Sequence, residues 1–147
     1  MSRKGKWILA IVSILIIAGA ATAWYIFNET FSDTADRKVA FTVEASDFIR
    51  EFETDSKLAN RKYTEKIIAV NGIVSEVEPA DTTTNIKIID TTKGSYIIFA
   101  FQQQHMTDAK KLKAGDRVSI KGSCSGGTFS EILETWLISF KRCAINK

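Results

Sequence analysis

Histidine occurs once, at position 105, proline once, and cysteine twice. One histidine excludes a histidine-rich metal centre and the HExxH arrangement, which needs two on one helix face. Two cysteines and one histidine do not close a four-ligand zinc site without carboxylates. His105 lies in a polar stretch and reads as an exposed surface residue. No glycine-rich phosphate loop is present, and the isolated pair Gly126-Gly127 reads as a turn. Glu76 and Glu78 lie two apart on one strand face. Nothing near them suggests a cleft, so they read as solvated surface charge. No catalytic constellation emerges. The chain is therefore not expected to be an enzyme, and no cofactor or metal is expected.

Excess charge is also scarce. Of 20 basic residues, Arg3, Lys4 and Lys6 precede the first apolar run, and the remaining 17 balance 17 acidic residues. A neutral remainder lacks the broad positive footprint that dominates most nucleic-acid binding.

What is present begins with an uncharged run from Trp7 to Phe27. About 20 apolar residues suffice for a helix to cross the hydrocarbon core. Trp7 sits at one end and Trp24 with Tyr25 at the other, where amphipathic rings prefer the interface. Residues 1–6 form a basic cytoplasmic segment and residues 7–27 a transmembrane signal anchor. The positive-inside rule then places the rest of the chain outside the cytoplasm. A cleaved signal peptide is the rival reading, since Ala18-Gly19-Ala20 and Ala21-Thr22-Ala23 both fit a small-x-small cleavage site. Against it, the apolar run continues past both sites. No cysteine lies near the end of the run, which speaks against a lipoprotein.

Residues 28–43 are polar and mixed, and read as a linker holding a domain at 44–147 off the membrane. Asn28-Glu29-Thr30 matches a glycosylation sequon, a weak signal so close to a membrane. From about Glu44 to Tyr63 the pattern is helical, with Phe48, Phe52, Ala59 and Tyr63 on one face. Asp55 lies near that stripe, either as a hydrogen-bond acceptor or simply solvated.

The stretch from Lys66 to Glu78 reads as one long strand. Ile68, Val70 and Val74 share one phase of its alternation, and Val77 falls on the other. A phase change after Gly72 predicts a bend or bulge that lets one strand serve two faces of a curled sheet. Asn85 to Asp90 and Ser95 to Phe101 form a hairpin, with Ile97, Phe99 and Phe101 inward and Tyr96, Ile98 and Ala100 outward. A short helix carries Met106, Ala109 and Leu112. A strand from Asp116 to Gly122 turns Val118 and Ile120 inward, and a last strand runs near Leu137 to Ile145. The fold class is mainly β: a five-stranded barrel with a leading helix and a short helix between strands three and four.

Several pieces recur in a fixed order. They are Asp55-x-x-x-Ala59-x-x-x-Tyr63, Val70-Asn71-Gly72-Ile73-Val74, Leu112 to Val118, Lys121 to Gly126, and Lys141 to Ile145. In that order the chain, from roughly Glu44 to Ile145, resembles the tRNA-anticodon-like OB-fold proteins of bacterial cell envelopes. The resemblance implies an OB barrel and a binding domain without an assigned reaction. It implies nothing certain about RNA.

OB barrels bind across their second and third strands. By phase, that face offers Asn85, Lys87, Tyr96 and Ile98. One tyrosine and one lysine make a thin platform for stacking on bases. The expected function is a membrane-anchored extracytoplasmic binding module for an envelope protein or small ligand. A single-stranded nucleic-acid module is the alternative, disfavoured by charge and location. An even cysteine count in an exported domain predicts a disulfide between Cys124 and Cys143, on the fourth and fifth strands. That bond requires their hairpin to turn late, around Ile132 to Glu134. The alternative is two buried free thiols.

Overall fold

The computed structural model describes residues 2–27 and 32–147 in two units, divided after Ser32. The sequon at 28–30 lies outside the described residues. In the first unit, α1 spans Arg3–Phe27 and buries no residue within the protein. Among the described residues it is the one helix long and apolar enough to cross a membrane. Length and composition fit a retained anchor or a signal sequence equally. Ser13 and Thr22 return their hydroxyls to the carbonyls of Leu9 and Ala18, at 2.9 and 2.8 Å. These bonds pair both hydroxyl protons within the helix, as an apolar surrounding requires.

The second unit begins at Asp33, earlier than the expected domain start at residue 44. It contains β1 (Phe41–Glu44), α2 (Ala45–Thr54), α3 (Ser56–Tyr63), β2 (Ile67–Ile73), β3 (Glu76–Pro79), β4 (Thr84–Ile89) and β5 (Tyr96–Phe101). These are followed by α4 (Met106–Lys110), β6 (Arg117–Ser130) and β7 (Thr135–Ile145). The strands are ordered β1-β2-β6-β7-β5-β4-β3. β2 and β3 are the two halves of the long strand expected from 66 to 78. Joining them closes the sheet into the OB order, with β1 added in parallel beside β2.

The closure takes two residues. The Val74 amide donates to the Asp116 carbonyl and the next amide, Ser75, donates to the Lys87 carbonyl, both at 2.9 Å. Before this point the strand pairs with β6, and after it with β4. The bend thus lies just past Gly72. Gly72 serves close packing instead: a Cβ there would stand 2.9 Å from Ile88 Cδ1 and 3.0 Å from Ala45 Cβ.

The leading helix is two helices. Asp55 breaks it, and its carboxylate accepts from the Leu58 amide at 3.0 Å, capping α3. Phe48, Phe52 and Tyr63 still share a face, as their spacing implies. Phe48 meets Phe52, Tyr63 and Phe140 at ring separations of 5.2, 4.9 and 5.7 Å. Gly126 and Gly127 do not form the turn. They sit inside β6 beside a register shift, where α2 and α3 pack down on the strand. Asn60 grips Gly127 at both its amide (2.9 Å) and its carbonyl (3.2 Å). A Cβ on Gly127 would lie 2.4 Å from Phe52 Cδ1.

The hairpin turns late, between Ser130 and Thr135, yet Cys124 and Cys143 are free and buried. The register explains the missing bond. Cys124 lies opposite Phe140, while Cys143 pairs with Phe101 on the other neighbour, β5. The Cys143 sulfur occupies the space above Gly122, 2.5 Å from where a Cβ would stand. Burial pushes the Cys124 thiol up to about 11 and that of Cys143 well above its ordinary value.

Part of the expected linker is a strap on the barrel. Residues Thr34–Asp36 form a 3-10 turn, and Thr34 is buried. The Thr34 amide donates to Gln102 Oε1 at 3.2 Å. Lys121 is only 7% exposed, and its ammonium donates to the carbonyls of Ala35 (2.6 Å) and Arg37 (3.2 Å). Those bonds offset the cost of burying its charge. His105 is not a free surface residue. It is partly buried, with Nε2 2.6 Å from Asp33 Oδ1.

Two outcomes follow from this packing. Gly127→Val forces a branched side chain into Phe52 and should lower unfolding stability by about 1–3 kcal/mol, read by urea titration. The hydrogen bond from His105 holds the Asp33 carboxyl below its ordinary range. A depressed carboxylate contributes stability in full above its unfolded value, near pH 3.9, and loses it as pH falls through the folded value. Asp33→Asn should therefore flatten the acid limb of the strap's resistance to proteolysis.

Candidate binding face

Two-residue alternation sets what β4 and β5 show to solvent. Ile86, Ile88, Ile97 and Phe99 are buried, so Asn85, Lys87, Tyr96 and Ile98 fall on the outer surface. The antiparallel register brings all four together, with Lys87 directly opposite Ile98, Asn85 opposite Ala100, and Tyr96 opposite Ile89. Each is half-buried. The Lys87 ammonium stands 5.6 Å from the centre of the Tyr96 ring.

The sequence did not show what lies on the third strand of this face. Glu76 and Glu78, read as solvated charge, lie on β3 beside Lys87. The Lys87 ammonium is 2.5 Å from Glu78 Oε1 and 3.6 Å from Glu76 Oε2. The two-residue spacing gave their shared face, but only the pairing Glu76↔Lys87 shows that they flank the lysine. The face therefore carries one cation between two carboxylates. The hydrogen bond that the ammonium donates to Glu78 is the leading cause that raises the Lys87 pKa above the ordinary lysine value.

Beside the face lies a groove of about 680 Å³. The first turn of α2, the end of β2 and the β4–β5 connection enclose it. Ala45, Ile49, Ile73 and Ile88 make its floor, and Arg50, Lys93 and Arg117 stand at its rim. Lys93 pairs with Glu53 at 2.8 Å, Arg50 pairs with Asp47, and Arg117 lies 3.8 Å from Glu44. Sequence reading missed this groove, because its walls come from segments up to 73 residues apart in the chain, Glu44 to Arg117. Among the described residues no group of three histidine, cysteine or acidic side chains is placed to hold a metal ion.

The Lys87–Glu78 contact has a measurable consequence. A lysine whose folded pKa is raised contributes stability in full below its unfolded value, near 10.4, and loses it as pH rises through the folded value. Glu78→Gln should move the titration midpoint of the Lys87 ammonium downward, followed by nitrogen NMR. An unchanged midpoint would mean that the contact is absent in solution.

A family profile described as tRNA_anti-like matches residues 1–133, from the apolar helix to the tip of the last hairpin. A lipoprotein structure from Klebsiella pneumoniae, whose name proposes nucleic-acid binding, is similar at 14% identity and a TM-score of 0.56. The alignment covers 81% of this chain and 100% of that one. The OBody AM3L09, bound to hen egg-white lysozyme, is similar at 18% identity and a TM-score of 0.44, over 58% of this chain and 87% of its own. Aspartyl tRNA synthetase from Entamoeba histolytica is similar at 10% identity and a TM-score of 0.45, over 74% of this chain. This chain spans only 25% of that synthetase. No curated protein matches. With most of its length matched and an OB barrel in place, the chain belongs to the tRNA_anti-like family.

Proposed function

We propose that this chain is a membrane-anchored OB module of the cell envelope. It binds a protein or small ligand across the outer face of β4 and β5 and catalyses no reaction. α1 serves as a retained anchor, with Arg3, Lys4 and Lys6 on the cytoplasmic side and the barrel outside. The observation that carries the binding reading is the neutralisation of Lys87 by Glu76 and Glu78. A phosphate backbone approaching Tyr96 would meet two carboxylates for one ammonium. Counterion release, which drives most nucleic-acid affinity, requires the reverse balance. Asn85, Tyr96 and Ile98 suit a partner that makes polar and apolar contacts in turn.

Single-stranded nucleic acid is the second reading. The name of the similar Klebsiella lipoprotein favours it, as does the Tyr96 ring on the strand where OB modules stack bases. Fluorescence anisotropy with a labelled single-stranded DNA and its RNA counterpart separates the two. At about 0.15 M salt the affinity should be weaker than roughly 100 μM, the loose end of non-specific binding. Glu76→Gln with Glu78→Gln should tighten it. A micromolar, salt-sensitive affinity lost in both Tyr96→Ala and Lys87→Ala would replace the first reading by the second.

A further inference from the structure

The charge of the second unit is nearly neutral in sum but unevenly spread. The tip of the β6–β7 hairpin carries Glu131 and Glu134 and no base. The edge formed by the strap, β1 and the end of α3 is the reverse. β1 is the outermost strand of the sheet, and among the described residues no further strand covers it. It runs parallel to β2, with Phe41 beside Ile68, and the Ala40 amide donates to the Ile67 carbonyl at 2.8 Å. Lys38 and Lys66, just upstream on the two segments, therefore enter at the same end. The Lys66 ammonium stands 5.3 Å from the centre of the Phe41 ring, and that of Lys62, from α3, 5.7 Å. Phe41 is itself half-buried, edge-on to Tyr63 at 5.3 Å.

The acids here do not cancel this charge. Glu65 directly precedes Lys66, but its φ of 63° breaks the run of the chain, and its carboxylate goes to Lys141 at 3.0 Å. Glu51 pairs with Lys62 at 3.0 Å and accepts from the Tyr63 hydroxyl at 2.9 Å. Among the described residues no carboxylate lies within ion-pair distance of Arg37, Lys38, Arg61 or Lys66. Those four bases, with Lys62 and Lys141, stand against Glu51, Glu65 and Asp36, and all six are exposed. A lysine over an aromatic ring, unlike one in an ion pair, still has donors to offer an outside anion.

Connectivity says which anion. The strap is pinned to the barrel through Gln102 and Lys121, and Arg37 and Lys38 belong to it or follow it directly. Only residues 28–32 join the strap to α1. A chain of that length spans at most about 20 Å when fully extended. We propose that this edge docks on the anionic headgroups of the bilayer that α1 crosses. Arg37, Lys38 and Lys66 meet lipid phosphates, and the Phe41 ring faces the boundary between headgroups and acyl chains. The proposal rests on α1 as a retained anchor. It uses neither Lys87 nor Tyr96, so it stands independently of the ligand at the binding face.

The test uses the full chain in lipid nanodiscs, with a nitroxide at Thr42→Cys, exposed on β1. Cys124 and Cys143 are buried and do not take the label. Electron paramagnetic resonance reads how far the nitroxide is shielded from a neutral nickel chelate in the water. Discs of phosphatidylcholine with an equal share of phosphatidylglycerol should shield it, and phosphatidylcholine alone should not. Lys38→Glu with Lys66→Glu should abolish the shielding. So should about 1 M salt, where the Debye length is about 3 Å. A label at Ile132→Cys, on the acidic tip, should stay open in both lipids. Equal shielding of Thr42→Cys in the two lipids overturns the proposal, as does shielding that survives both the double variant and the salt. Shielding confined to the tip overturns it too. Shielding of Thr42→Cys by a single-stranded oligonucleotide and not by anionic lipid would make nucleic acid the partner instead. Retention of α1 is read separately, from the N-terminal sequence of the chain in its own envelope, so failure of the anchor and failure of the docking edge are told apart.

Discussion

Everything in the barrel depends on one strand changing partners between two adjacent residues. Val74 hydrogen-bonds toward β6 and Ser75 toward β4. A flat strand has a single neighbour on each edge. This one bends, so its first half completes one side of the sheet and its second half the other. Without that bend β3 would not reach β4, whose outer edge would then expose unpaired amides. The requirement for room follows from the bend. Ile88 and Ala45 press against the strand at Gly72, where any side chain would collide.

The same bend decides the chemistry of the outer face. Bringing β3 alongside β4 sets Glu76 and Glu78 against Lys87. A basic strand pair thereby becomes a nearly neutral surface with one aromatic ring. The bend also leaves a recess between β2, α2 and the β4–β5 connection. The binding face and the groove are thus products of barrel closure, and neither belongs to one segment of sequence.

Local alternation was legible. The inward positions of β4, β5 and β6 follow the two-residue period, whereas the late hairpin turn at 131–134 had entered only as a requirement of the expected disulfide. Contacts across the sequence were not legible. The cysteine pairing failed because the ladder sets Cys124 against Phe140 and Cys143 against Phe101 of β5. Gly126-Gly127 looked like a turn because a glycine pair breaks alternation, whereas here the pair makes room for Phe52 and Asn60. Asp55 lies on the helical stripe, and capping rather than periodicity gave it its role. The strap at 33–37 has linker composition, and the buried Lys121 with the polar Gln102 and His105, distant in sequence, ties it down. Of the candidate face, the outward direction of the four residues on β4 and β5 was legible from phase. Their acidic neighbours needed the β3–β4 register, and the groove needed the tertiary fold.

The central claim is that one strand closes the barrel by switching partners within two residues. Amide hydrogen exchange of Val74 and Ser75, resolved singly by NMR, tests it most directly. If closure is intact, both amides exchange only through opening of the barrel, with protection close to that of Ile68 and Ile97 in the core. A protected Val74 beside a freely exchanging Ser75 would show that β3 does not dock on β4. The neutral face built on that docking would then not exist.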